Sequence, residues 1–389
     1  MGKGAHAAVP LRKLPEQRSE LANTLPQPCE EITKRTLRES IPAHCFKRSY
    51  THSFCALGWD CLAVGVAFWA VHAACAVLPW WASPFAWLAY VWYQGLTFTG
   101  LWVLAHECGH GGFTDSRLVN DAVGFLLHSS LVTPYFSWAI THAKHHHYTN
   151  HMTMGETWVP STANPAKQSV EAAKTPAGTA KRIAVVALVG WYAYLLFNAT
   201  GSRQNLGQSH FNPRSKALFK RKDADYVRIS NVGMAFAIAA CAVGMHTWGL
   251  LAFVRSYLIP QMICNFYLCA ITFMQHTHPD VPHFDDSQWT WLRGALSTID
   301  RTMGPFADMK THYICSSHVV HHIFSDMPYY GAIEATPYVA AHLGKYYKRA
   351  YPEKLFGSEY LGYWRDYYKA SRNAVCVGRD EEDECYWFY

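Results

Sequence analysis

Along this chain, long apolar runs alternate with polar stretches that hold most of its histidines. Residues 54–78 (FCALGWDCLAVGVAFWAVHAACAVL) and 84–105 (PFAWLAYVWYQGLTFTGLWVLA) are each long enough, as helices, to cross a hydrocarbon core of about 30 Å. The Pro- and Trp-rich PWWASP between them predicts a tight turn at a membrane interface, so the two runs read as a transmembrane hairpin. A shorter run, 118–140, carries Asn120, Asp121, His128 and Pro134, which argues against a simple span. Three further apolar runs cover 183–200, 230–249 and 251–274, after which the chain stays polar and aromatic to Tyr389. Within the first run, Asp60 and His72 are expected to be either functional or buried facing a neighbouring helix, the second being the favoured reading.

Three histidine clusters, at 106–110, 142–146 and 318–322, constrain how these runs are used. If they build one site, all lie on one side of the membrane, and an even number of crossings separates each pair. The three runs between the second and third clusters therefore cannot all cross. Residues 201–229 contain Arg203, Arg214, Lys216, Lys220, Arg221, Lys222 and Arg228 against Asp223 and Asp225, and so basic a loop belongs on the cytosolic side. The expectation is four crossings, with 118–140 and 183–200 along the interface and both termini cytosolic. The Asn198-Ala199-Thr200 sequon then never reaches the lumen. The organisation expected is an N-terminal cytosolic arm at 1–50, a membrane domain at 51–370 and a C-terminal tail at 371–389. The fold class is an all-α integral membrane protein: four transmembrane helices, interfacial helices and a cytosolic cap.

Composition supports this picture. Half of the residues are hydrophobic and only 16% are charged, against a usual charged fraction of about 25%. A formal charge of +6 suits a chain lying against an anionic leaflet and is too dispersed for nucleic-acid binding. The twelve cysteines form no C-x-x-C pair, and many sit in apolar runs, where a thiol behaves as a small hydrophobe. The polar start MGKGAHAAVPLRKLPEQRSE is not a secretory signal, and His6 stands where a myristoylation motif requires Ser or Thr.

The histidines carry the chemistry. His106-Glu107-Cys108-Gly109-His110 fits H-E-x-x-H, the zinc metalloprotease signature, with two imidazoles one helical turn apart. In THAKHHHYTNH, His142, His145 and His146 stand at i, i+3 and i+4, which aims three side chains into one sector of a helix; His147 and His151 point elsewhere. SSHVVHHIFSD repeats the pattern at His318, His321 and His322. At the end of the last apolar run, MQHTHPD offers one more ligand from His276 or His278. Zinc takes three or four ligands, whereas eight or nine neutral nitrogens suit two octahedral-leaning iron ions. A protease would leave both H-x-x-H-H boxes idle, and a non-catalytic receptor or transporter would need none of them. Glu107 is then expected to orient an imidazole rather than act as a proteolytic base.

Three boxes, HECGH, HAKHH and HVVHH, in this order and between these hydrophobic blocks, resemble the membrane fatty-acyl desaturases, and most of all the plant and fungal oleate Δ12 (ω6) desaturases. HMTMGETWVP, QHTHPDVPHF and HHIFSDMPYYGAIEATPYVAAHLGKYY add to the resemblance, which spans roughly residues 30 to 370. It implies a di-iron centre using O2, with His106, His110, His142, His145, His146, His318, His321 and His322 as ligands and His276 or His278 as the ninth. It also implies a narrow acyl tunnel, a phospholipid-linked acyl substrate, residence in the endoplasmic reticulum membrane, and electrons from cytochrome b5 and its reductase. No H-P-G-G segment is present, so the donor is expected to be a separate protein. Gly111 stands where plant relatives usually carry another His, and HHHYTNHM is richer in His than the usual second box, so acetylenase, hydroxylase and related products stay open. Trp102, Phe113, Phe324 and Tyr330 are candidates for the tunnel wall or for aromatic core packing.

Overall fold

A computed structural model describes residues 11–12, 24–26, 29–162, 167–380 and 384–388. Much of the expected N-terminal arm, including Gly2 and His6, lies outside them. Beyond that arm the chain is helical: α1 (Lys34–Ser40) is capped by the Thr33 hydroxyl, which accepts the Thr36 N–H. Next come α2 (Tyr50–Val77), α3 (Ser83–His110), α4 (Arg117–Ser130) and α5 (Tyr135–His147). An apolar helix with a π-type turn, α6, covers Pro176–Phe197; α7 is Ala224–Trp248 and α8 is Leu250–His276. The cap is completed by α9 (His318–Ile323), α10 (Tyr329–Leu343) and α11 (Glu359–Asn373).

Local sequence explains where these helices stop. Pro79 ends the α2 region, Pro84 sits in the first turn of α3, and Gly111 (φ 76°) takes the left-handed conformation that terminates α3 one residue after His110. The Gly112 N–H closes that turn on the Glu107 carbonyl at 2.8 Å. The first histidine pair is thereby fixed at the mouth of a long helix.

Among the described residues, four helices are long and apolar enough to span a membrane: Tyr50–Val77, Pro176–Phe197, Arg221–Trp248 and Leu250–His276. Two points differ from the sequence-based expectation. Helix α3, expected to cross, falls outside this set because of its composition, not its length. All of its residues from Gln94 to Cys108 are buried by neighbouring helices, and an enclosed helix bears no lipid penalty for Gln94, Thr97 or Thr99. At Gly95 a Cβ would collide with Ile263 Cγ2, so this glycine permits the close approach of α8.

The second difference is α6, expected along the interface yet apolar enough to cross. The start of α7 is fixed beside the second histidine cluster, because the Ser230 hydroxyl accepts the N–H groups of Phe136 (2.9 Å) and Ser137 (3.2 Å). Gly249 turns the chain directly into α8, which returns to the same side at His276. With α7 and α8 used as an out-and-back pair, α6 must begin and end on the side of the histidines. Its Val185, Leu188, Val189, Leu196 and Phe197 are exposed, an apolar face suited to lipid.

The fold is mostly helical, with short strands that periodicity did not announce. In the stretch expected as a tail, 371–389, the described residues finish α11 and form strands β3 (Cys376–Asp380) and β4 (Tyr386–Phe388), which pair antiparallel. Strands β1 (Leu11–Arg12) and β2 (Ser161–Thr162) join β3 in parallel.

Candidate metal centre

The three histidine boxes leave different helices and meet at one point. His106 and His110 project from the end of α3, His142, His145 and His146 from the last turns of α5, and His318, His321 and His322 from α9. One donor atom each from His106, His110, His142, His146 and His321 lie within 4.8 Å of one another. A second group, equally close, comprises His145, His276 and His322. His318 closes this second group, with its Nε2 2.9 Å from that of His322 and 3.3 Å from that of His276. The groups adjoin: the His146 and His322 rings stack at 4.3 Å.

Position at a helix end separates His276 from His278. His276 is the last residue of α8 and joins the cluster; Thr277 is extended and carries His278 away from it. His278 is half-buried and its Nδ1 takes the Asp280 N–H at 3.2 Å. His147 is exposed, and His151 is buried with its Nε2 3.1 Å from Asp286 Oδ1, so neither enters the cluster.

The electrostatics suit a cation. Burial, reinforced by the charge of neighbouring imidazoles, holds His142, His146, His318, His321 and His322 well below the ordinary histidine value, and burial takes His145 to about 3. All are neutral at pH 7, the form that donates a lone pair to a metal. Nε2 faces Nε2 between His142 and His146 at 3.1 Å, while Nε2 of His110 and of His321 is buried without a hydrogen-bond partner. Convergent, unshared lone pairs of this kind are satisfied by metal ions. Nine imidazoles in two adjoining groups exceed the four positions of zinc and fit two ions of higher coordination.

Surrounding groups orient the donors. Thr149 donates its hydroxyl proton to the His145 carbonyl (2.9 Å), so toward His322 Nδ1, 3.1 Å away, it can only accept. That fixes the proton of His322 on Nδ1 and leaves Nε2 free for metal. Glu107 is buried, with Oε1 3.4 Å from His106 Nδ1 and Oε2 accepting the Tyr329 N–H at 2.9 Å. It thus ties the first box to the start of α10. Asp300 holds α9: Oδ1 accepts the Val319 N–H (2.8 Å) and Oδ2 the Tyr347 hydroxyl (2.6 Å). Burial nevertheless pushes Asp300 up to about 7 against those donors. Thr149 and Asp300 gave no signal in the sequence, because their partners lie far away along the chain.

A cavity of about 70 Å³ is lined in part by the imidazoles of His106, His142, His145 and His318. Its walls are mainly apolar, with Trp102, Trp138, Trp191, Leu268 and Ile271 among them. Trp102 therefore lines it, whereas Phe113 and Phe324 are buried in separate hydrophobic clusters. The Tyr330 hydroxyl accepts the Ser49 N–H instead. Asp60 is buried and pairs with His312, Oδ2 to Nε2 at 2.7 Å, as expected for an acid facing protein rather than lipid.

Comparison with known proteins agrees with this geometry. The profile of a family described as fatty acid desaturase matches residues 78–353. A Delta(12) fatty acid desaturase of Mortierella isabellina is 40% identical over 337 residues, covering 82% of this chain and 83% of its own. The Delta(12)-fatty-acid desaturase of Arabidopsis thaliana is 36% identical over 354 residues, 90% of each chain. A fatty acid conjugase of Calendula officinalis is 35% identical over 394 residues, 100% of this chain and 99% of its own.

Proposed function

Because the chain belongs to the fatty acid desaturase family, we propose that it is a membrane oxidoreductase that converts oleoyl groups carried on phospholipid to linoleoyl groups, placing a cis double bond at the Δ12 position. The observation that carries this reading is the meeting of all three histidine boxes in the wall of a mainly apolar cavity. The proposed ligands are His106, His110, His142, His146 and His321 for one iron, and His145, His276, His318 and His322 for the other. His278 is omitted because its ring turns to Asp280. The H-E-x-x-H stretch is then part of a larger donor set and not a protease site.

When bound, the two irons and O2 supply the oxidising power that an unactivated C–H bond requires. The protein's own residues do the rest. Burial keeps the imidazoles neutral, Thr149 sets the tautomer of His322, and Glu107 and Asp300 hold the helices that present the first and third boxes. Trp102, Trp138, Trp191 and Leu268 exclude water and offer a hydrocarbon chain a matching surface. How deep the chain enters decides which two carbons lie against the metal, and hence the position of the new bond. Electrons come, in this reading, from cytochrome b5 and its reductase. The site faces the cytosol from the endoplasmic reticulum membrane, with both termini on that side.

The test is a fatty-acid profile, by gas chromatography and mass spectrometry, of yeast expressing the chain beside a His318→Ala variant. A linoleate peak present with the native chain and lost in the variant supports the proposal. An acetylenic, hydroxylated or conjugated product would overturn the Δ12 assignment, and unchanged lipids with zinc in the purified protein would overturn the di-iron reading.

A further inference from the structure

We propose that strands β3 and β4 are a positioning device for the metal centre, holding the end of the second histidine box from outside the membrane domain. The inference rests on the metal-site reading under Proposed function.

Hydrogen bonds trace the device from strand to ligand. β4 pairs with β3 on one edge, Gly378 opposite Trp387. On its other edge Tyr386 exchanges both backbone bonds with His283, each 2.8 Å. The next residue, Phe284, donates its N–H to the Asn150 carbonyl (2.9 Å) and accepts the Met152 N–H (2.9 Å). The Asn150 side chain donates to the Pro282 carbonyl at 2.9 Å, and the Trp289 indole N–H to the Thr149 carbonyl at 3.1 Å. Thr149 in turn accepts from His322 and donates to the His145 carbonyl. Three distant parts of the chain, 376–388 through its two strands, 283–284 and 149–152, thus form one ladder ending on two proposed ligands of the second iron.

The packing is of core quality. Cys385 and Trp387 are buried with Phe284 against Trp289. Tyr386 and Phe388 are buried with Val377 and Ala374 against Met152. His283 itself is buried, its ring edge-on to Phe388 at 5.4 Å, and neither ring nitrogen has a hydrogen-bond partner. It is held for its backbone, between Tyr386 and the second box. Three successive aromatic residues, Tyr386, Trp387 and Phe388, are thus buried against the loop that adjoins the ligand cluster.

If the ladder positions His145 and His322, metal binding must stabilise the ladder in return, since the coupling of two events is reciprocal. The experiment is hydrogen–deuterium exchange on the full chain in detergent, without metal and with cobalt(II) as probe. Exchange at amides 150–152, 283–284 and 386–388 is expected to slow at least about tenfold on adding cobalt, while the outer segment 351–357 stays unchanged. Tyr386→Pro, which deletes one bond to His283, is expected to weaken the second cobalt equivalent about tenfold or more and shift its visible spectrum. Trp387→Phe, which keeps the ladder, should behave as the native chain. Unchanged exchange along the ladder overturns the proposal, and so does native affinity and spectrum in Tyr386→Pro. A native chain that takes up no cobalt overturns the metal reading and this inference with it.

Discussion

Replacing Thr149 by Val removes one hydroxyl while keeping the shape of the side chain. His322 Nδ1–H, now facing the Thr149 oxygen at 3.1 Å inside a buried site, is left without that acceptor. Leaving a buried donor unsatisfied costs about 1–3 kcal/mol, and at about 1.4 kcal/mol per factor of ten this is about 5- to 150-fold. The loss falls on the state that needs Nε2 free, because the ring is then at liberty to move its proton or rotate. The expected outcome is a second iron bound about 5- to 150-fold more weakly. The first should be little affected, since the Thr149 hydroxyl meets the backbone carbonyls of His145 and His146 but, among the proposed ligands, only the ring of His322. An anaerobic iron(II) titration of purified Thr149→Val, beside Thr149→Ser, measures this. Ser keeps the acceptor and should stay close to the native chain. A Val variant binding both irons within about twofold of native affinity would refute the assignment of Thr149 as the group that fixes His322.

Other outcomes follow from the same geometry. His276→Gln should abolish product formation, whereas His278→Gln, at a ring that bonds Asp280 N–H outside the cluster, should retain at least about half the activity; comparable losses would show that His276 is not the distinguishing ligand. The metal-free protein should lose stability as pH falls. His145 titrates near 3 when folded and near 6.5 when unfolded, so between these values the unfolded chain binds more protons and ΔG of unfolding falls as pH falls. That amounts to about 2 kcal/mol from His145 alone between about pH 7.5 and pH 5, and a flat thermal midpoint over that range would contradict the neutral cluster. Asp60→Leu deprives the buried His312 Nε2 of the carboxylate 2.7 Å away and should cost about 1–3 kcal/mol, read as a lowered denaturation midpoint in detergent.

How much of this was legible in the sequence depended on the range of the interaction. The spacing of His142, His145 and His146, and of His318, His321 and His322, is a helical repeat, so the convergence of each triplet was readable from a few residues. That the triplets join was the premise from which the crossings were counted; the apolar runs by themselves did not reveal it. The choice between His276 and His278 turned on where α8 stops, at Thr277, and boundaries of that kind are set by tertiary contacts. The enclosed character of α3 was hidden because burial by neighbours is not written in a helix's own composition. Strand β4 left no trace at all: a strand of three residues, paired with His283 far away along the chain, carries no periodicity to detect.

The proposed ligands are drawn from four separate stretches, 106–110, 142–146, His276 and 318–322, and this dispersion governs the life history of the molecule. During synthesis the His106–His110 pair emerges long before α9 exists, and two imidazoles by themselves hold a metal ion only weakly. Neither subsite is whole until the third box has been made, through His321 for one and His322 for the other, and the membrane helices have inserted in the right order. On the proposed ligand set, metal loading would therefore be a late event, performed on a folded, lipid-embedded chain, and a nascent protein that inserts wrongly would not complete the centre.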